Sequence, residues 1–218
     1  MSQALPNVLI TGFEPFGGER VNPSAQVALA LHGRVIANHK VVSVVLPCVF
    51  GEALNELKKQ LRWVKPVLVI CLGQAGGRAA ISVERVAINI DDARIADNAG
   101  KQPIDQHIAI KGPVAYWSTL PIKAIVVALK EHGIASEVSQ TAGTFVCNHV
   151  FYGLMRMLQR KPIKGGFVHI PFAPEQVKGM SDNTPSMSVG EVTRGMEVVI
   201  STSLLTDQDV RVSGGATH

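Results

Sequence analysis

The chain of 218 residues is poor in charge and in aromatic side chains: 17% of its residues are charged and 5% are aromatic. Because 46% are hydrophobic, the composition is typical of a globular protein and excludes a disordered one. No apolar run approaches the ~18 residues that span a bilayer, so we expect no membrane association. The N-terminus leads directly into a strand-like segment at 8–10, so we expect no signal peptide.

Cysteine is also scarce, and its spacing excludes two kinds of stabilising site. Cys48, Cys71 and Cys147 are odd in number and form no CxxC pair, which argues against a disulfide framework and a zinc ribbon. No His, Asp or Glu pair shows HExxH-type spacing, so we expect neither a metal nor another cofactor. Thiols that stay reduced are typical of a cytoplasmic protein.

Positive charge is not concentrated in one part of the sequence. The formal net charge is +4, and the densest basic run, at 159–164, is short. A nucleic-acid-binding protein usually clusters its basic residues along a stripe with aromatic residues between them. We therefore expect no nucleic-acid partner and interpret the run as a solvated helix end.

Short apolar runs alternate with helical patterns along the chain. This alternation predicts one α/β domain over residues 1–218, with α/β/α layers and a largely parallel sheet. The stretch 91–121 breaks the rhythm, and a loop of that length usually serves a site, a lid or a subunit contact. The predicted strands lie at 8–10, 41–46, 67–72, 86–90, 134–138 and 166–170, and the predicted helices at 24–31, 50–63, 119–132, 146–159 and 189–205.

Cys147 follows a predicted strand end and turn and precedes a helical pattern. The pattern places it in the first turn of a helix, with Thr144 as the N-cap. Unpaired N–H groups and the helix dipole stabilise anions there, so we expect a lowered thiol pKa and a place for an oxyanion. A lone cysteine is more often a buried apolar residue, which is our interpretation of Cys71. Cys48 remains open between core and cleft.

Seven histidines compete for the role of base to a cysteine nucleophile. His169 lies near the end of a predicted strand, and open α/β sheets bind their ligands at the carboxyl ends of parallel strands. His149 follows Cys147 by two residues on one helix and therefore points to a different side. The remaining histidines end helices (His32, His132), lie in loops (His39, His107) or end the chain (His218).

A carboxylate that would orient the imidazole is not fixed by spacing. Glu84 lies in an otherwise apolar strand run, where an acidic side chain costs desolvation unless it is paired. It could serve the imidazole, or it could simply pair with a buried arginine. Asp91, Asp92 and Asp97, near the irregular stretch, remain equal candidates at this point.

Several long motifs follow one another over nearly the whole chain. They read TGFEPFGG at 11–18, NPS at 22–24, GQAGGR at 73–78, ERVAIN at 84–89, ARI at 93–95, SQTAGTFVCN at 139–148 and HIPF at 169–172. In this order they resemble pyroglutamyl peptidase type I, a family of cysteine peptidases. The resemblance implies an open α/β fold with a twisted mixed sheet, and a homotetramer. It also implies removal of an N-terminal pyroglutamyl residue from peptides by hydrolysis through a thioester.

The same resemblance implies roles for individual residues. It implies that Cys147 is the nucleophile, His169 the base and Glu84 the orienting carboxylate. Arg94 is expected near the oxyanion, together with the first turn that carries Cys147. The residues expected around the substrate ring are Phe13, Phe16, Gln74, Phe145 and Val146. From the residues alone, Phe13 and Phe16 fit the core of a strand turn better.

Two other functions fit an α/β chain of this kind. A nucleotide or nucleoside phosphorylase is one alternative, although the glycine-rich segment at 12–18 lacks a following GK[ST] and contains Pro15. A second glycine-rich segment at 73–77 does not match GxGxxG. A binding module without catalysis is the other alternative, and it predicts an unreactive Cys147.

Overall fold

The structure is a computed structural model and describes residues 4–215, so His218 lies outside the described residues. Strands and helices alternate over most of its length. In chain order the elements are β1 (Asn7–Phe13), α1 (Pro23–Leu31), β2 (Val35–Ile36), β3 (His39–Leu46), α2 (Glu52–Val64), β4 (Leu68–Gln74), β5 (Ile81–Glu84), β6 (Val86–Ile88), β7 (Ala115–Trp117), α3 (Ile122–Glu131), β8 (Ser136–Ser139), α4 (Val146–Leu158), β9 (Lys164–Ile170) and α5 (Val189–Leu205).

Seven strands form one mixed sheet in the order β2-β3-β1-β4-β9-β5-β8. The four neighbours β3, β1, β4 and β9 run parallel, which confirms the predicted α/β fold with a largely parallel sheet. Strand β5 runs antiparallel to β9, and β8 runs parallel to β5. Strands β6 and β7 form a separate antiparallel pair.

Helices cover both faces of this sheet. Alternate residues of β1 enter two different apolar clusters: Val8 and Ile10 pack with α1, α3 and α5, whereas Leu9 packs with α2 and α4. Strands that are buried on both faces are continuous apolar runs in the sequence, which is why the sequence predicts these strands. Among residues 4–215, no helix combines the length and hydropathy needed to cross a bilayer.

The predicted strand at 86–90 is only partly right. The chain enters the main sheet earlier, as β5, and leaves it after Glu84, and the following β6 pairs with β7 instead. The predicted strand at 134–138 begins later, as β8. The break in rhythm at 91–121 is present, since β7 is the one strand or helix that the structure places there.

Candidate active site

The carboxyl ends of β4 and β9 form the floor of the site. Gly73 pairs with His169 across the two parallel strands, so the imidazole and the Gly73 position face the same side of the sheet. Helix α4 packs on that side. A Cβ built on Gly73 would lie 2.8 Å from Cys147 Sγ, so the thiol rests directly on this glycine. The thiol therefore lies over β4 and the imidazole projects from the adjacent strand β9, and adjacent strands are about 4.8 Å apart.

The start of α4 differs in detail from the sequence prediction. Gly143 has φ +73°, which provides the sharp turn before the helix. The N-cap is Phe145 and not Thr144, whose hydroxyl donates to the Asp92 carbonyl at 2.7 Å. No side chain caps this helix, so the N–H groups of its first turn lack partners from the helix itself. Cys147 lies in that turn, where an oxyanion would find donors.

Glu84 reaches His169 because β5 runs antiparallel to β9. Ser82 stands opposite His169, so Glu84, two residues further on, projects from the same face of the sheet. His169 Nδ1 lies 2.7 Å from Glu84 Oε1, and both residues are buried. A carboxylate accepts a hydrogen bond from Nδ1–H, which leaves the lone pair on Nε2.

Arg78 shares the same carboxylate oxygen. Its Nη1 donates to Glu84 Oε1 at 2.7 Å, and its Nη2 donates to the Thr141 carbonyl at 3.0 Å. Glu84 Oε2, by contrast, is buried and has no hydrogen-bond partner among the described residues. Arg78 had no predicted role, although it ends the GQAGGR motif and Glu84 was a candidate for pairing with an arginine.

The pKa of the Cys147 thiol differs from the lowered value expected from the sequence. Burial raises the pKa of the Cys147 thiol, and Glu84 adds to the rise while Arg78 opposes it. The predicted lowering of this pKa is therefore wrong, because desolvation of the thiol is the largest contribution and raises it. Burial lowers the pKa of His169, Glu84 partly restores it, and Arg78 lowers it further. Both shifts favour the uncharged forms, a thiol beside a neutral imidazole.

A cavity of about 410 Å³ opens beside the thiol. Seven of the candidate site residues named from the sequence line it: Phe16, Gln74, Asp92, Arg94, Phe145, Cys147 and His169. Phe13, Val146 and Glu84 are almost completely buried and lie outside the lining. The Phe13 ring packs against Phe167, with ring centroids 6.3 Å apart, as a core residue does. Glu84 lies behind His169, as an orienting group requires.

The remaining candidate residues have structural partners. Asp91 Oδ2 lies 2.8 Å from His149 Nδ1, and His149 Nε2 accepts a hydrogen bond from the Gly51 N–H. Asp97 accepts backbone N–H groups from three residues around it. Cys48 and Cys71 are buried, and desolvation raises the pKa of each to about 12. Cys48 therefore belongs to the core and does not line the cavity.

A thiol, an imidazole beside it and a carboxylate behind the imidazole are the groups of nucleophilic acyl transfer. The fold and the site therefore define a cysteine hydrolase built on an α/β sheet. Within residues 4–215, no three His, Cys, Asp or Glu side chains are grouped so that they could hold a metal ion.

Comparison with known proteins specifies this class. The sequence model of the family described as pyroglutamyl peptidase matches residues 6–205. A pyrrolidone-carboxylate peptidase of Bacillus mycoides is 53% identical over 216 residues, 98% of this chain and 100% of that protein. One of Erwinia tasmaniensis is 54% identical over 214 residues, again 98% of this chain and 100% of that protein.

A solved structure is similar over the same length. The crystal structure of pyroglutamyl peptidase I from Bacillus amyloliquefaciens has a TM-score of 0.92 at 45% identity, over 96% of this chain and 100% of that one. The chain belongs to the pyroglutamyl peptidase family, and the resemblance drawn from its motifs is confirmed.

Proposed function

We propose that Cys147, His169 and Glu84 are the catalytic groups of this pyroglutamyl peptidase, which hydrolyses the bond after an N-terminal pyroglutamyl residue. One observation carries the proposal. The His169 imidazole, held at Nδ1 by buried Glu84, stands beside the thiol that rests on Gly73, and thiol and imidazole open into one cavity.

The first half of the reaction forms a thioester. His169 Nε2 takes the proton of Cys147 Sγ as the sulfur attacks the pyroglutamyl carbonyl carbon. The new S–C bond converts the carbonyl oxygen to an oxyanion, which accepts hydrogen bonds from the unpaired N–H groups at the start of α4. His169 then gives its proton to the amine of the next residue, the C–N bond breaks, and the shortened peptide leaves.

The second half releases pyroglutamate. His169 Nε2 takes a proton from a water molecule, whose oxygen attacks the thioester carbonyl. The C–S bond breaks, and the proton returns from His169 to Cys147. In both halves the imidazole becomes a cation for a moment, and Glu84 stabilises that cation through its bond to Nδ1.

The substrate ring suits the lining of the cavity. A pyroglutamyl group is a neutral lactam without an α-ammonium group, so it needs apolar faces and a few polar atoms. The rings of Phe16 and Phe145 lie 5.9 Å apart at the cavity and are proposed to contact the lactam. Phe13 and Val146 are proposed to support these walls from the core, whereas Arg94, exposed in the cavity, is proposed to lie near the oxyanion.

Gln74 contributes the end of β4 to the cavity wall. Its side-chain Oε1 accepts a hydrogen bond from Gln176 Nε2 at 2.9 Å, and Gln176 Oε1 in turn accepts the Ala173 N–H at 3.0 Å. These two bonds hold the end of β4 against the segment that follows β9. Gln74 is therefore proposed to offer a fixed polar edge to the lactam.

Hydrolysis of pyroglutamyl 4-nitroanilide by wild type and Cys147→Ala tests the proposal. We expect Cys147→Ala to lose at least about 10³-fold in kcat/KM, because the acyl acceptor is gone. Cys48→Ala is the matched control, a buried cysteine outside the lining, and we expect it to keep its activity. Activity retained in Cys147→Ala, or equal hydrolysis of prolyl 4-nitroanilide by wild type, would contradict the proposal.

We also propose that residues 1–218 form one domain and that the protein is a homotetramer in the cytoplasm. Large apolar side chains from the irregular stretch support an interface, since such exposure is typical of one; these are Ile104, Ile110, Val114 and Trp117. Three free cysteines are consistent with a reducing compartment. Sedimentation of wild type and Val114→Lys tests the assembly, and a monomeric wild type would contradict it.

A further inference from the structure

Arg78 lies at the centre of a charge arrangement that the catalytic roles above do not use. It follows the glycine-rich turn after β4, and its side chain is 24% exposed. The residue is part of the lining of the cavity. Two of its nitrogens are committed: Nη1 to Glu84 Oε1 and Nη2 to the Thr141 carbonyl.

The carboxylate of Glu84 has two donors on one oxygen and none on the other. His169 Nδ1 and Arg78 Nη1 both lie 2.7 Å from Oε1, while Oε2 is buried without a partner in the part of the chain that the structure describes. Since Glu84 is 0% exposed, water does not neutralise its charge. A buried carboxylate needs a compensating cation close by. In the resting site, Arg78 is that cation.

Without Arg78, the charge balance around His169 would change. The carboxylate would then have the imidazole as its nearest group able to carry positive charge. A neighbouring negative charge favours the protonated imidazole, and burial of an unpaired carboxylate strengthens this preference. A protonated His169 has no free lone pair and cannot accept the proton of Cys147. The remaining ionisable groups at the cavity are Cys147 on α4 and, from the irregular stretch, Asp92 and Arg94.

We propose that Arg78 is a positioning residue that neutralises Glu84 and thereby keeps His169 unprotonated and free to act as the base. This inference rests on the proposed function, since it gives Arg78 a task within that reaction. The second hydrogen bond of Arg78, to the Thr141 carbonyl, helps to position the same groups. By holding the Thr141 carbonyl, Arg78 connects the carboxylate to the turn that leads into α4 and to Cys147.

The test is the pH profile of kcat/KM for pyroglutamyl 4-nitroanilide in wild type, Arg78→Met and Arg78→Lys. We expect Arg78→Met to shift the acid limb to higher pH by about one unit, so that kcat/KM falls about 10-fold at a pH on that limb and less at neutral pH. Arg78→Lys keeps the charge but loses the two-pronged contact. We expect its acid limb to stay near that of wild type.

Two further variants separate this role from a general effect of charge or folding. Arg94→Met removes the other arginine of the cavity, which has no bond to Glu84, and we expect no shift of its acid limb. In a Glu84→Gln background, Arg78→Met should not move the limb further, because the charge on which Arg78 acts is absent. Thermal unfolding identifies any variant that fails to fold. If Arg78→Met does not fold, an acid limb in Arg78→Lys that lies about one unit above those of wild type and Arg94→Met would contradict the proposal, because Arg78→Lys keeps the charge.

The outcomes are distinguishable from failure of the proposed function. A wild type that does not hydrolyse the anilide overturns both proposals. An active wild type whose limb does not move in Arg78→Met, or moves equally in Arg94→Met, overturns the role of Arg78 alone. A limb shift in the Glu84→Gln background would also contradict it, because Arg78 would then act on His169 directly.

Discussion

At the scale of single residues, the thiol of Cys147 has its position because residue 73 has no side chain. A Cβ on Gly73 would lie 2.8 Å from Cys147 Sγ and 2.9 Å from the ring of Phe167. Both neighbours are packed between the sheet and α4. The chain therefore has a glycine here for space, and not for an unusual backbone conformation.

We expect Gly73→Ala to fold and to lose at least about 10²-fold in kcat/KM, because a misplacement of about 1 Å at a reacting atom costs that much. Gly190→Ala is the matched control. It places a methyl in the first turn of α5 with nothing within 4 Å, so we expect full activity and equal or slightly higher stability. Normal kinetics in Gly73→Ala would show that the thiol does not rest where the structure places it.

Glu84 acts on His169 in the opposite direction to Arg78. The carboxylate raises the pKa of His169, against the lowering by burial and by Arg78. Glu84→Gln should therefore move the acid limb of kcat/KM to lower pH and reduce kcat by about 10²- to 10⁴-fold, because the imidazolium loses its partner. A pH series on this variant checks both effects. An unchanged kcat would contradict the orienting role.

The sequence pointed to Cys147 and His169, because Cys147 follows a predicted strand end, His169 lies near another, and such ends meet at one edge of a sheet. It could not select Glu84 over three aspartates. That selection depends on β5 running antiparallel to β9, which sets Glu84 diagonally across from His169. Strand direction has no signature in a run of four residues. The burial that raises the pKa of Cys147 likewise became visible only in the packed site.

At the scale of elements, α3 begins with a cap from a distant part of the chain. Its N-cap residue, Pro121, offers no side-chain hydrogen bond. Asp209, after α5, caps the helix instead. Its two carboxylate oxygens accept hydrogen bonds from the N–H groups of Lys123 at 3.1 Å and Ala124 at 2.8 Å. The C-terminal segment is thereby fastened to the start of α3, where an anion also suits the helix dipole.

We expect Asp209→Ala to lose about 1 kcal/mol of the free energy of unfolding, as removal of an N-cap side chain does. Asp207→Ala is the control, since the Asp207 side chain is 98% exposed and only approaches Lys164 at 3.5 Å. For it we expect a change of less than about 0.5 kcal/mol. Urea unfolding of the two variants measures the difference, and equal values would show that the cap contributes nothing.

The helices were predictable as elements, because their apolar positions repeat at helical spacing and each was found within about three residues of its predicted ends. The division of the chain between β5 and β6 was not predictable. Apolar residues continue on both sides of Glu84 and Arg85 in the run 82–90, and only tertiary pairing assigns its first part to the main sheet and the rest to β7. Asn148 helps to fix that division: its Oδ1 accepts the Ile88 N–H, and its Nδ2 donates to the Ile88 and Ile90 carbonyls.

At the scale of the whole molecule, the buried imidazole makes folding stability depend on pH. Burial lowers the pKa of His169 below its usual 6.5, so the unfolded chain takes up a proton at a pH where the folded chain does not. His169 therefore causes stability to fall as pH drops below about 6.5 and has no effect well above it. Comparing the unfolding free energy of wild type and His169→Gln at about pH 7.5 and about pH 5.5 isolates this part. If His169→Gln lost as much unfolding free energy as wild type between these two pH values, the contribution assigned to His169 would be contradicted.

The central claim is that the cavity holds the pyroglutamyl ring next to a reactive Cys147 with His169 as its base. Its most direct test is peptide mapping after reaction with a pyroglutamyl chloromethyl ketone, with and without 2-pyrrolidone as a competitor. We predict alkylation of Cys147 in proportion to lost activity, protection by the competitor, and much slower labelling in His169→Gln. Labelling of Cys48 or Cys71 instead, or labelling of Cys147 no faster than by an N-acetylprolyl chloromethyl ketone, would contradict the account.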